Sequence, residues 1–174
     1  MNDAGVSFAL VNWYSVPSRP VPEPITRGIV VTRLLTVATP DDAAAGISRL
    51  PLASLQPFRA AGIFPEECVV LEWRWDGVGL GRVERPWSPC QWLSSGFDES
   101  TAQRIRGATF ARHSADSEAG SAGWLRRLHA SHEPSRGAFS TCVHREDAGT
   151  VSYTEIAWGE GTGTLRCAEG CPCG

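Results

Sequence analysis

The chain has 174 residues, 42% of them hydrophobic, and a formal net charge of −3 with acids and bases mixed along its length. That suffices for one folded domain with its own core. It excludes a basic nucleic-acid stripe and an acidic solvating tail, and no apolar run approaches the ~20 residues of a membrane span.

Residues 5–12 carry Val6, Phe8 and Leu10 on one face and Ser7, Ala9 and Val11 on the other, which predicts a strand buried on both sides. Four prolines between Val16 and Pro24 make the next stretch an extended loop. Residues 25–38 read as a mostly buried helix. Thr39-Pro40-Asp41-Asp42 starts a second, with an N-cap, proline at the first helical position and acids at the positive dipole end, running to about residue 50. Residues 58–64 and 68–75 read as strands, the latter with Val69, Leu71, Trp73 and Trp75 on one face and Glu72 and Arg74 on the other. Asp76-Gly77 turns the chain into a returning strand over 78–84. A short strand follows at 91–94. Helices are predicted over 98–112 and 121–131, the second with Leu125, Leu128 and His132 along one side, then strands over 138–145, 150–158 and 164–167. Runs of strands separated by runs of helices predict an α+β fold of antiparallel sheets covered by helices, with both faces of the buried strands used in an α-β-β-α sandwich.

All 16 basic residues are arginine. GC-rich coding accounts for this, and a surface built for anion recognition is the alternative. The opening MNDAGVSFAL contains Asp3 and no positive leader, so a cytoplasmic location is expected. The six cysteines are Cys68, Cys90, Cys142, Cys167, Cys171 and Cys173, and without an export signal they are expected to be reduced. Three cluster in CAEGCPCG. Their C-x3-C-x-C spacing is not that of a zinc finger, and a structural zinc would need Cys142 or His144 as a fourth ligand. A cysteine-rich mobile tail is the other reading, and no metal and no cofactor are assigned.

There is no phosphate loop, no H-E-x-x-H and no G-x-S-x-G elbow. The densest polar cluster spans residues 129–152, with three histidines, Arg136, Cys142, Arg145, Glu146 and Asp147. On a strand over 138–145, Cys142 and His144 share a face with Cα atoms roughly 6–7 Å apart. Side chains so spaced point parallel and seldom reach hydrogen-bond distance, so the pair is not read as a catalytic thiolate–imidazolium dyad.

HASHEPSRGAFSTCVHREDAGTVS and GTGTLRCAEGCPC, with LASLQPFRAAGIFP, VVLEWRWDG and LSSGFDES upstream, resemble bacterial NRDE-domain proteins, relatives of the transport and Golgi organisation protein 2 family. The resemblance spans nearly the whole chain and implies an Ntn-hydrolase α-β-β-α sandwich over 1–174, a single, N-terminally truncated domain. MNDAGVSFALVNWY is similar to the M-N-E-x-G-L segment of penicillin V acylases and bile-salt hydrolases. That similarity implies an oxyanion-hole role for Asn12, with Ser95 standing where the acylases carry an asparagine. His144, Arg145 and Asp147 become candidate binding residues. The family's N-terminal cysteine nucleophile and its N-R-D-E run have no counterpart here, so the expectation is a shortened or late-started chain that is inactive as it stands. The implied activity is hydrolysis of a non-peptide amide bond in a small-molecule substrate. The alternatives are a lipid- or haem-handling protein, with Trp13, Trp73, Trp75, Trp92 and Trp124 lining a pocket, and a zinc-stabilised domain. Loss of the family's central strands would expose the edge of residues 5–12 and lead to self-association.

Overall fold

The alternation in FRAAGIF and VVLEWRW is realised as two paired strands in the computed structural model, which describes residues 1–174. β2 (Phe58–Phe64) and β3 (Val69–Trp75) run antiparallel, with Ala60 opposite Trp73 and Ala61 opposite Glu72. β1 (Ser7–Asn12) pairs with β2, and β4 (Leu80–Arg85) pairs with β3, giving an antiparallel sheet of order β1-β2-β3-β4. One face carries Phe8, Phe58, Ala60, Phe64, Leu71, Trp73 and Trp75 into the hydrophobic core. Gly62 faces the same core. A Cβ there would stand 2.9 Å from ring carbons of both Phe8 and Phe64, so only glycine lets the two rings meet edge to face. β1 is not buried on both sides as expected. It is an edge strand of half-buried and exposed residues, because β2 is its only partner.

α1 (Gly28–Arg33) and α2 (Pro40–Ser48) cover the core face of this sheet, contributing Val30, Ala43 and Ile47. The long helix expected over 25–38 shrinks to six residues. Its start has no side-chain cap, and the β-branched run Val30-Val31-Thr32 weakens helix propagation. α2 begins as predicted, with the Thr39 hydroxyl accepting from the Asp42 N–H at 3.2 Å and Pro40 at the first position. The β3–β4 turn is longer than a two-residue hairpin. Asp76 Oδ1 accepts from the N–H groups of Val78 and Gly79, both at 2.7 Å, and Gly77 supplies φ +95°.

These elements belong to the first of two compact units, Met1–Trp87. The second is Ser88–Gly174. It opens on irregular chain, and the strand expected at 91–94 does not form. α3 (Glu99–His113) is capped by Asp98 and α4 (Ala122–Ala130) by Ser121. Phe110 meets Trp124 edge to face, and the Trp124 indole N–H donates to the His113 carbonyl at 2.7 Å. The buried residues of α4 are Trp124 and Leu128, one step round from the stripe expected through Leu125. β5 (Ser152–Gly159) and β6 (Thr162–Glu169) form a two-stranded antiparallel hairpin. Glu160 and Gly161 both have positive φ at its turn, which matches the right-handed twist of the strands. The Arg126 guanidinium grips the Glu155 carboxylate with two hydrogen bonds of 2.8 and 2.6 Å, and the Tyr153 hydroxyl donates to it at 2.9 Å, tying β5 to α4.

The strand expected over 138–145 is also absent. Only two isolated bridges occur there, Gly137 with Val143 and His144 with Gly149. The Ser140 hydroxyl donates to the carbonyls of Gly137 and Cys142, and the Cys142 N–H goes to the Ser131 carbonyl. Those bonds occupy groups that a ladder would need and coil the segment instead. The fold is thus α+β with a four-stranded and a two-stranded antiparallel sheet. No helix is long and apolar enough to cross a membrane.

Candidate metal centre

The coiled segment brings Cys142 and His144 together where a strand would keep them parallel. Cys142 is fully buried, and its Sγ lies 3.6 Å from His144 Nε2. Backbone bonds fix the coil: His144 N–H donates to the Gly137 carbonyl, and Thr150 N–H to the Val143 carbonyl, both at 3.0 Å. Arg106 on α3 braces it from beneath, donating to the carbonyls of Ser140 (3.1 Å) and Ala138 (2.9 Å). At the other end, β6 returns the chain to its start. Gly170, with φ +85°, donates to the Val151 carbonyl at 2.9 Å and turns Cys171-Pro172-Cys173 onto the coil.

Five donor atoms then converge. His144 Nε2 stands 3.5 Å from Cys171 Sγ and 3.5 Å from Cys173 Sγ, in addition to the Cys142 contact. Cys171 Sγ lies 2.8 Å from both Cys142 Sγ and Cys173 Sγ. His132, just past α4, places its Nε2 3.0 Å from that of His144. The ligand atoms of His132, Cys142, His144 and Cys173 all fall within 4.8 Å of one another. None of the six cysteines is in a disulfide.

Zinc–sulfur bonds of about 2.3 Å and zinc–nitrogen bonds of about 2.0–2.1 Å set tetrahedral edges of about 3.6 Å for sulfur–nitrogen and about 3.8 Å for sulfur–sulfur. The three sulfur–nitrogen distances match. The two thiol–thiol contacts are shorter by about 1 Å, so an ion would spread the sulfurs apart. Thiols and imidazoles suit zinc and other soft or borderline cations, whereas calcium and magnesium want oxygen ligands. Cys142, His144 and Cys173 belong to any four-ligand set here. Cys171 completes the set best, because it touches two of the thiols and the imidazole, whereas His132 is in hydrogen-bond contact only with His144.

Without an ion the thiols share protons. Burial, and then hydrogen bonds to Cys171 and Cys173, push the Cys142 thiol up to about 12. The same bonds, from Cys142 first and then Cys173, hold Cys171 below its ordinary value. Burial and the charges of Arg136 and His132 lower His144 below its ordinary value.

Of the residues singled out from the sequence, His144 is at the centre, while Arg145 and Asp147 are not. Those two pair with each other at 2.9 and 2.6 Å across a tight turn, and the Arg145 guanidinium lies 4.7 Å over the Phe97 ring. Asn12 ends β1 in the first unit and donates to the Tyr14 hydroxyl at 2.9 Å. Ser95 belongs to the second unit, where its hydroxyl donates to the Phe97 carbonyl at 2.6 Å and closes a local turn. Trp73, Trp75 and Trp124 are buried packing residues. The paired spacings Cys142-x-His144 and Cys171-x-Cys173 are the sequence signal for this cluster, and His132, which the sequence places on a helix stripe, joins it. No protein-family model, characterised protein or solved structure matches this chain.

Proposed function

We propose that the second unit is a zinc-stabilised domain in which Cys142, His144, Cys171 and Cys173 hold one structural zinc ion. The observation that carries this is the convergence of three sulfurs on one imidazole nitrogen at 3.5–3.6 Å. The distribution of the core supports it. Only five hydrophobic residues are buried in the second unit, against fifteen in the first, so the second unit has little apolar burial with which to offset chain entropy. A zinc ion joining the coil of Cys142 and His144 to the tail after β6 would tie the middle of the unit to its last residues. Four protein ligands leave no position for substrate, so this reading is structural rather than catalytic.

Elemental analysis of protein purified without added metal is expected to give one zinc per chain. Cys142→Ser and Cys173→Ser are expected to lose it. A chelator should melt α3, α4 and the β5–β6 hairpin while leaving the β2–β3 amides protected. Metal-free protein whose second unit is equally protected would refute the proposal.

Amide hydrolysis, the activity implied by the NRDE resemblance, is a second reading. It draws on one observation: Asn12 stands half-buried at a strand end with one amide N–H beyond its bond to Tyr14. Turnover of penicillin V or bile-salt amides that falls roughly 10²–10³-fold in Asn12→Ala would favour it.

A further inference from the structure

The outer face of the four-stranded sheet holds a second cluster. Glu72 is fully buried there and accepts from three arginines: Arg59 Nε at 2.7 Å, Arg74 Nε and Nη2 at 3.0 Å each, and Arg85 through Nε at 2.8 Å and through Nη2. That uses the carboxylate's accepting capacity fully, yet leaves Nη1 of Arg74 and of Arg85 and both terminal nitrogens of Arg59 with donors to spare. The arginine side chains are 17–36% exposed, so those donors reach solvent. One cross-strand row runs Val11, Arg59, Arg74, Gly81. Gly81 brings no side chain, and over it opens a cavity of about 300 Å³ lined by Trp13, Arg74, Asp76, Gly79, Leu80 and Gly81. Asp76 is in this wall, but its Oδ1 is committed to the N–H groups of Val78 and Gly79. Counting Asp76 and Glu72 against Arg59, Arg74 and Arg85, the group keeps a net charge of +1.

We infer that this cavity binds a small organic carboxylate, its anionic end on the free edge of Arg74 and its apolar body against the Trp13 indole. A guanidinium held in place by Glu72 pays little ordering entropy on binding, and its planar edge suits a carboxylate. The indole supplies the apolar contact that a bare inorganic anion could not use. This site lies wholly in the first unit and is independent of the proposed zinc centre.

The test is calorimetric titration of the full chain at low ionic strength with benzoate, its neutral isostere benzamide, and inorganic phosphate. Benzoate is expected to bind at one saturable site, with benzamide and phosphate each weaker by about 10-fold or more. Arg74→Gln should weaken benzoate by a similar factor, while Arg82→Gln, which lies outside the cavity, should not. Gly81→Leu separates the site from the ion network. An added Cβ meets only the Arg74 carbonyl, at 3.9 Å, so the sheet tolerates it while the larger side chain fills the cavity. Benzoate binding that survives Gly81→Leu, equals that of benzamide or phosphate, or never saturates would overturn the assignment.

Discussion

Replacing Glu72 with glutamine keeps its shape and removes its charge, which isolates what the buried carboxylate does for the first unit. The three arginines hold its pKa at about 2, against an ordinary 4.5, despite burial, which alone would raise it. That depression corresponds to roughly 3 kcal/mol favouring the folded state when the group is ionised in both states. The sign follows from the direction. With the folded pKa depressed, the stabilisation is complete above pH 4.5 and is lost as the pH falls toward 2. Glu72→Gln should therefore lose roughly 3 kcal/mol at pH 7, within the range found when one partner of a buried pair is removed. The gap between variant and parent should narrow below pH 4.5. Urea unfolding followed through the exchange protection of the β2 and β3 amides measures the first unit alone, and repeating it between pH 7 and pH 3 traces the gap. A gap below about 1 kcal/mol at pH 7, or one independent of pH, would refute the reasoning that the carboxylate is held charged by the arginines.

Gly62→Val should destabilise the same unit by about 1–3 kcal/mol, because its side chain would collide with Phe8, Phe64 and Trp73. A thermal melt that matches the parent would mean that those rings can move aside. Arg106→Leu removes the brace beneath the metal coil. It should weaken zinc retention about 10- to 100-fold in a chelator competition while leaving the ligands intact, and unchanged retention would show that the coil holds itself.

The elements legible in the sequence are those whose partners are near in the chain or whose periodicity is strong. β2 and β3 carry a period-two pattern and a glycine-bearing turn between β3 and β4. The signal at Thr39-Pro40-Asp41-Asp42 for α2 is local chemistry, and the structure satisfies it bond for bond. Two misreadings share one cause. Residues 138–145 alternate like a strand, and 91–94 are a short segment around Trp92 and Leu93, but a strand needs a neighbour to take its hydrogen bonds. The sequence does not show that Ser140 and the Ser131 carbonyl take those of the coil. The same step governs the geometry of the candidate site. Cys142 and His144 were kept apart by assumed strand geometry, and only the coiled backbone allows their side chains to meet.

The two units are stabilised by different means, and the proposed zinc ion would give Cys142, Cys171 and Cys173 a structural purpose. In the first, Phe58, Phe64, Leu71 and Trp73 are buried behind two helices, and the ion cluster around Glu72 sits on the opposite face. In the second, β6 is almost wholly exposed, with Leu165 59% and neighbouring Val151 77% accessible, and a two-stranded hairpin is marginal on its own in water. What holds it is polar: Arg126 with Tyr153 on Glu155, Arg106 on the coil carbonyls, and the turn of Arg145 on Asp147. Each of those contacts contributes modestly, and the exposed pairs least. Three thiols and an imidazole drawn from the coil and from beyond β6 close the hairpin onto the rest of the unit. A zinc ion bound there would add its binding free energy directly to the stability of the folded unit. On this argument the tail after β6 is a clasp, and losing either Cys171 or Cys173 should release the hairpin before it disturbs α3.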